Sequence, residues 1–285
     1  MNKKNISLVG AHLSIAQGLY HAIREARSID ATACQIFVKN GRSWKSKPLE
    51  QSIINAFDAE MKAGDSVLMV AHASYLINIA STDADIRKKS IEALIDELTR
   101  CDQLSIPYLV LHPGSHLGAG VEAGCNAVVE SINYIFEKYT FKTMLLLETA
   151  AGQGTNLGST FEELHQMLSH IKYASKVGIC FDTCHVYAAG YALHPIAVYR
   201  EIMQRFDTVI GLKHLKVIHL NNSKTEQGSR KDRHEKLLKG TMPKSVFHDI
   251  MRDVRLVNVP KILETPIEKE YLSEYAEEIA WLRSL

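Results

Sequence analysis

The sequence predicts a single-domain (β/α)8 TIM barrel spanning residues 1–285. Short apolar, β-branched runs alternate eight times with longer segments of helical period, the pattern of a parallel sheet closed by helices. Six of those runs stop on a side chain that can hold a divalent metal: His72, His112, Glu148, Asp182, His219 and Glu264. An open, doubly wound sheet would rarely aim six strand ends at one centre. A length of 285 residues also suits a single α/β barrel.

The first apolar run, Ile6 to Ala11, ends at His12 and leads into a helix from about Ile15 to Ile29. Cys34 to Val38 empties into a basic loop, KNGRSWKSK, and Pro48 opens a helix to about Ala63. Val67 to Val70 leads to His72, and Ser81 or Thr82 is expected to cap a helix in which Ile86, Ile91, Leu94, Ile95 and Leu98 recur at helical spacing. Tyr108 to Leu111 leads to HPGSH and a helix from about Val121 to Lys138. Met144 to Leu147 precedes Glu148 and the loop AAGQGTNLGS, with Thr160 as the next cap. Val177 to Phe181 runs into DTCH, and its helix spans about Pro195 to Ile210. Leu215 to Leu220 opens the longest polar loop, 221–243, before a helix to about Val254. Ile262 and Leu263 form the eighth run, and a helix from about Lys269 to Leu285 completes the alternation.

A formal net charge of +1 carries no nucleic-acid signature, so an anionic partner must be held by local charge or by metal. The five cysteines form no CxxC pair and sit in or beside apolar segments, as reduced core thiols do. No run reaches the roughly 18 apolar residues of a membrane span. The expected location is the bacterial cytoplasm, with no membrane partner and, lacking a long exposed apolar face, a monomer.

In a barrel the C-terminal strand ends share the active face. His185, just beyond Asp182, and Asp232 and His234 in the seventh loop join the six strand-end residues there. Five imidazoles and four carboxylates exceed what one zinc takes, which implies two or three metals. The nitrogen and oxygen set without thiolate suits zinc, with manganese or iron as alternatives, and argues against an all-oxygen site. Cys184 is not expected to bind. His12 and His116 are candidate supporting donors, and His21, His165, His170, His194, His214 and His248 fall in helical or surface segments. With every imidazole neutral, three divalent ions leave the pocket net positive, as a phosphodiester requires, and multi-metal sites hydrolyse phosphodiesters by activating water and clamping the reacting oxygens.

Lys39, Arg42, Trp44, Lys45 and Lys47 crowd the second loop, and Tyr75 and Leu76 follow His72. Cations there suit phosphates, and Arg42, Tyr75 and Leu76 suit wedges that open a base stack. A solvated basic loop with Trp44 as its anchor is the plainer alternative. Arg230, Lys231, Arg233 and Lys236 in the seventh loop add positive charge to the same face, which favours a polyanion.

Across essentially the whole chain the sequence resembles the endonuclease IV family of apurinic/apyrimidinic endonucleases. GAHLS, FVKNGRSW, HASYLINIA, LHPGSHLG, LETAAGQGTNLG, DTCHVYAAGY, HLNNSK, GSRKDRHEKLLKG and ILET occur in the family's order. The resemblance implies three zinc ions, with manganese an alternative at one site, and cleavage of double-stranded DNA 5′ to an abasic site. It implies His72, His112 and Glu148 at one zinc, Glu148, Asp182, His219 and Glu264 at a second, and His185, Asp232 and His234 at the third. It further implies that Arg42, Tyr75 and Leu76 enter the minor groove while the damaged nucleotide is extruded. Asn222, Leu238 and Met242-Pro243 depart from the family's usual Asp, Gly and Ile-Gly, which directs attention to the seventh loop.

The expectation is therefore a zinc-dependent repair phosphodiesterase in which Glu148, Asp182 and Glu264 serve catalysis and Lys39, Arg42, Trp44, Tyr75, Leu76, Arg230 and Arg233 meet DNA. A metal-dependent sugar isomerase or epimerase is the rival, since Glu148, Asp182, His219 and Glu264 alone would satisfy its single metal. A DNA-damage binding module without catalysis is the third reading.

Overall fold

The computed structural model describes residues 7–285. Eight parallel strands close into a barrel: β1 (Val9–His12), β2 (Ala33–Phe37), β3 (Leu68–His72), β4 (Tyr108–Leu111), β5 (Met144–Glu148), β6 (Val177–Asp182), β7 (Leu215–His219) and β10 (Lys261–Leu263), with β10 pairing β1. β8 (Asn222–Ser223) and β9 (His234–Glu235) form a small antiparallel hairpin inside the seventh loop. The helices are α1 (Leu19–Ser28), α2 (Gln51–Lys62), α3 (Ala84–Gln103), α4 (Val121–Lys138), α5 (Phe161–His170), α6 (Thr183–Ala189), α7 (Ile196–Val209), α8 (Ser245–Arg252) and α9 (Tyr271–Arg283). The expected strand start at Ile6 lies outside the described residues.

Several boundaries differ from the sequence reading for local reasons. α1 begins at Leu19 because Gly18 sits at φ 117°, outside helical space. The cap of α3 is Asp83, whose side chain accepts the Asp85 and Ile86 N–H groups, and Ser81 instead accepts from Asp83 itself. Thr160 does cap α5, through the Glu163 N–H at 3.1 Å. α6 went unread because only seven residues separate the Asp182 cap from Gly190, which ends the helix at φ 115°.

Strand periodicity positions the site. Ala33, Val70, Val110, Leu146, Cys180, Val217 and Ile262 pack together as one buried layer inside the barrel. Side chains alternate faces along a strand, so the residue two positions on also points inward. Those residues are Gln35, His72, His112, Glu148, Asp182, His219 and Glu264. In β1 the interior position is Gly10, where a Cβ would lie 1.6 Å from the Ala33 carbonyl oxygen, and two residues on stands His12. Each of the eight strands thus delivers one polar side chain to the same mouth, above an apolar plug. Helices pack outside this ring on a second core that includes Ile36, Leu98, Ile132, Phe206 and Ile279. No described helix is long and apolar enough to cross a membrane.

Candidate metal centre

The nine proposed ligands converge. Donor atoms of His72, His112 and Glu148 lie within 4.8 Å of one another, as do those of Glu148, Asp182, His219 and Glu264, and those of His185, Asp232 and His234. Glu148 divides its oxygens between two groups. Its Oε2 is 3.3 Å from His72 Nε2 and 3.5 Å from His112 Nδ1, whereas Oε1 is 2.7 Å from His219 Nδ1. In the third group His185 Nε2 is 3.1 Å from Asp232 Oδ2, and His234 Nε2 is 3.4 Å from Asp232 Oδ1. Ligands about 2.0–2.2 Å from a tetrahedral ion are spaced roughly 3.3 Å apart, so these separations fit a shared cation.

The outward nitrogens carry a second test. His72 Nδ1 donates to the Ala73 carbonyl at 2.7 Å, His185 Nδ1 to the Thr149 carbonyl at 2.8 Å, and His219 Nε2 to Gln35 Oε1 at 2.8 Å. Each bond occupies one ring nitrogen and turns the other inward, where it can present a lone pair to an ion once its proton has left, as metal-binding histidines are held. His185 Nε2 and His234 Nε2 are buried, and beyond the carboxylates of the candidate ligands neither has a hydrogen-bond partner; both belong to the third group. The residues present therefore fit a set of divalent ions.

Electrostatics agrees with that fit. Burial disfavours a charged imidazole at His72, His185 and His219, yet the surrounding carboxylates outweigh it. All three are held above their ordinary range, His185 and His219 well above. Burial likewise opposes ionisation of Glu148, but His112, His219 and His72 hold it well below the usual carboxylate range. Asp232 is pushed down to about 2, the cost of burial being overcome by His185 and His234. The mouth concentrates negative charge that only cations satisfy, whether protons or metal ions. Burial, helped by Glu148 and Glu264 and opposed by His219, pushes the Cys180 thiol up to about 12, and burial with Asp182 and Asp232 raises Cys184. Both thiols therefore stay protonated beside the nitrogen and oxygen donors.

Two further residues belong to the centre and escaped sequence reading. Gln35 is fully buried; besides accepting from His219, its amide donates to Glu264 Oε1 at 2.6 Å and to His12 Nδ1 at 3.0 Å. Asn221 donates to Asp182 Oδ2 at 2.7 Å while its Oδ1 accepts the Glu264 N–H at 2.7 Å. The available signal was a polar side chain inside the apolar run ACQIF, in phase with the site residues of the other strands. His12 lies 3.2 Å from Glu264 Oε1, in the supporting position expected of it. His116 does not: its Nδ1 accepts the Gly120 N–H at 3.0 Å, which ties a loop rather than a ligand.

The loops bring two corrections. Lys39 is not free to meet a phosphate, because its Nζ is buried 3.1 Å from Asp96 and 3.3 Å from Glu97. Lys236 is similarly turned inward, 2.9 Å from Glu274 and 3.5 Å from Glu278. In both cases a carboxylate from the outer helices captures the ammonium group. Arg42, Trp44, Tyr75, Arg230 and Arg233 remain exposed, and Leu76 is half-buried. Tyr75, 67% exposed, stands 5.6 Å from the His72 ring and 6.2 Å from the His112 ring. Trp44 is 38% exposed and contributes only its carbonyl to Lys39, so the second loop is held by ion pairs rather than by its indole. A cavity of about 350 Å³ opens between Tyr75, Asn78, His112, Asn156 and Asp232.

The seventh loop is organised around the departure at Asn222. Its buried Nδ2 donates to the Leu237 and Met242 carbonyls at 2.7 and 3.0 Å, and its Oδ1 accepts the Met242 N–H at 3.0 Å. Leu238 points to solvent, 60% exposed. The hairpin pairing of Ser223 with His234 carries the third group's imidazole back toward the barrel.

A family model described as a xylose isomerase-like TIM barrel matches residues 23–285. The chain is 42% identical over 277 residues to a probable endonuclease 4 of Chloroflexus aggregans, covering 97% of this chain and 96% of the relative. It is 41% identical over 278 residues to a probable endonuclease 4 of Trichlorobacter lovleyi, covering 97% and 99%. The crystal structure of endonuclease IV from Thermus thermophilus superposes with a TM-score of 0.84 at 33% identity, over 97% of this chain and 99% of that one. A D-tagatose 3-epimerase-like protein superposes at 0.70 with 19% identity, over 97% and 96%, and shares the fold alone.

Proposed function

The chain belongs to the endonuclease IV family, and on that premise we propose that it is a metal-dependent DNA repair endonuclease that incises double-stranded DNA 5′ to an abasic site. The products are a 3′-hydroxyl and a 5′-deoxyribose phosphate. The observation that carries the reading is the divided carboxylate of Glu148, which faces two donor groups at once beside a third. A single-metal sugar isomerase would have no use for His72, His112, His185, Asp232 and His234.

Three zinc ions are the expected complement, with manganese an alternative at one site. Bound there, they supply Lewis acidity toward water and neutralise charge building on the phosphate oxygens. The chain's own residues do the rest. His72 and His112 hold one side of Glu148, and Asp182, His219 and Glu264 the other. Glu264, fixed through Oε1 by Gln35 and facing His219 through Oε2 at 3.2 Å, orients the attacking water. His185, Asp232 and His234 form the group that serves the departing 3′-oxygen. Arg42, Tyr75 and Leu76 enter the minor groove, while Trp44, Arg230 and Arg233 meet the backbone. The whole chain acts as one barrel domain and as a monomer in the bacterial cytoplasm.

The test is incision of a duplex carrying one tetrahydrofuran abasic analogue, with metal content measured on the same preparation. Three ions per chain and a single nick 5′ to the lesion are expected, lost on chelation and in Glu264→Gln. One ion per chain with ketose turnover and no nicking would establish the isomerase instead, and binding without nicking in zinc would establish a damage-binding module.

A further inference from the structure

The buried ion pairs that remove Lys39 from the surface tie together two loops adjacent in the barrel. Glu97, on α3, is 1% exposed and lies outside the metal centre. Its Oε1 is 3.3 Å from Lys39 Nζ, at the root of the second loop, and its Oε2 accepts the Ser74 N–H at 3.1 Å, at the root of the third. Ser74 closes the link, because its hydroxyl donates to the Gly41 carbonyl at 2.6 Å and accepts the Leu76 N–H at 3.3 Å. Two neighbours on the helix extend the hold along the second loop. Lys39 Nζ also reaches Asp96 and the Trp44 carbonyl, at 3.1 and 3.4 Å. Arg100, bonded to Asp96 at 3.0 Å, donates to the Lys47 carbonyl at 2.6 Å.

The sequence position of these anchors gives them meaning. Gly41 directly precedes Arg42, and Ser74 directly precedes Tyr75 and Leu76. The three wedge residues therefore flank a link in which the Ser74 hydroxyl holds the Gly41 carbonyl and Glu97 holds both the Ser74 N–H and the Lys39 ammonium. Two cations and two carboxylates balance within the cluster; Lys39, Glu97 and Arg100 are buried and each has a charged partner, while Asp96 lies at the solvent edge. Removing one partner leaves the others buried and uncompensated.

We propose that Glu97 is a positioning residue that couples the second and third βα loops and fixes the spacing at which Arg42, Tyr75 and Leu76 meet DNA. Without its charge, Lys39 keeps only Asp96 at the solvent edge as an ionic partner, the Ser74 N–H faces at most a neutral acceptor, and the coupling between the loops weakens. Loop order then has to be supplied at the moment of binding, which weakens affinity and leaves the metal-centred chemistry intact. The inference rests on the reading that these loops contact the substrate.

The experiment compares wild type, Glu97→Gln and Ser74→Ala, the last removing only the hydroxyl that bridges the loops. Tryptic cleavage after Arg42 and Lys45, followed by mass spectrometry on the metal-loaded protein without DNA, reports loop coupling. KM and kcat on the abasic duplex, with metal content, report its consequence. Both variants are expected to keep wild-type metal content and to be nicked faster at these sites. KM should rise about tenfold in Glu97→Gln, the scale of one lost hydrogen bond to a charged group, and about fivefold in Ser74→Ala, where the lost bonds are neutral, with a much smaller change in kcat. Unchanged nicking in both variants overturns the coupling. Faster nicking with unchanged KM shows that the loops do not meet the substrate, and the positioning role falls with that reading while the coupling stands. Ser74→Ala decides the matter if Glu97→Gln fails to fold.

Discussion

Asp182 caps the helix that carries His185: its Oδ1 accepts the His185 backbone N–H at 2.7 Å. Its other oxygen, 3.9 Å from His219 Nδ1 and 3.6 Å from His234 Nε2, lies between two donor groups. The motif DTCH therefore joins two donor groups through one carboxylate. His185→Ala should lose one of three ions and keep the other two, whereas Asp182→Ala should lose ions from both groups and also about 1 kcal/mol of helix cap. Metal analysis with thermal unfolding separates them, and equal loss of all ions in His185→Ala would reject the division.

Gln35 supports two neighbouring candidate ligands, accepting from His219 and donating to Glu264. Gln35→Leu keeps the volume and removes both bonds. Metal affinity should fall roughly 10- to 100-fold, the usual scale for losing such a supporting bond. Chelator competition measures it, and an unchanged affinity would show that His219 and Glu264 need no such support.

Proton release gives a pH signature. His185 and His219 sit well above their ordinary 6.5 in the metal-free protein, so at pH 7 they carry protons that entering ions displace. Zinc affinity should rise with pH until both are neutral, and calorimetry in two buffers of different ionisation enthalpy should detect protons released. Stability without metal runs the other way. A histidine whose pKa is raised on folding contributes stability fully present below its ordinary value and lost as pH rises through the raised one. Asp232, pushed down to about 2, contributes above its ordinary 3.8 and loses that contribution as pH falls toward 2. Chelated protein should thus melt earlier on the alkaline side of neutrality as well as in strong acid, and zinc should abolish the alkaline loss.

Asn222 is matched to its carbonyls by its amide hydrogens. Asn222→Asp would set a carboxylate against the Leu237 and Met242 oxygens, costing about 1–3 kcal/mol for each buried carbonyl left unpaired. Because Ser223 pairs with His234, the loss should appear as weaker binding at the third metal position, with the other two retained. Metal titration of the variant reads this directly; wild-type occupancy of all three positions would remove the link between the amide and the hairpin.

Much of the fold and the site is legible in the chain, for a definite reason. The barrel layer and its mouth lie two residues apart along the same strands, so apolar runs that end on His, Asp or Glu record the architecture and the candidate ligands together. Gln35 was hidden because an uncharged polar residue within an apolar run looks like any other strand residue. Only the register of β2 beside its neighbours aims it at His219.

Eight strand and helix units and nine candidate ligands follow from the chain alone, since periodicity and side-chain chemistry are local properties. Other features exist only once distant segments meet. Lys39 and Lys236 change from surface cations into buried ion pairs, because their partners Asp96, Glu97, Glu274 and Glu278 come from helices distant in sequence. The division of Glu148 between two donor groups likewise waits on barrel closure, which brings His72, His112 and His219 to one carboxylate.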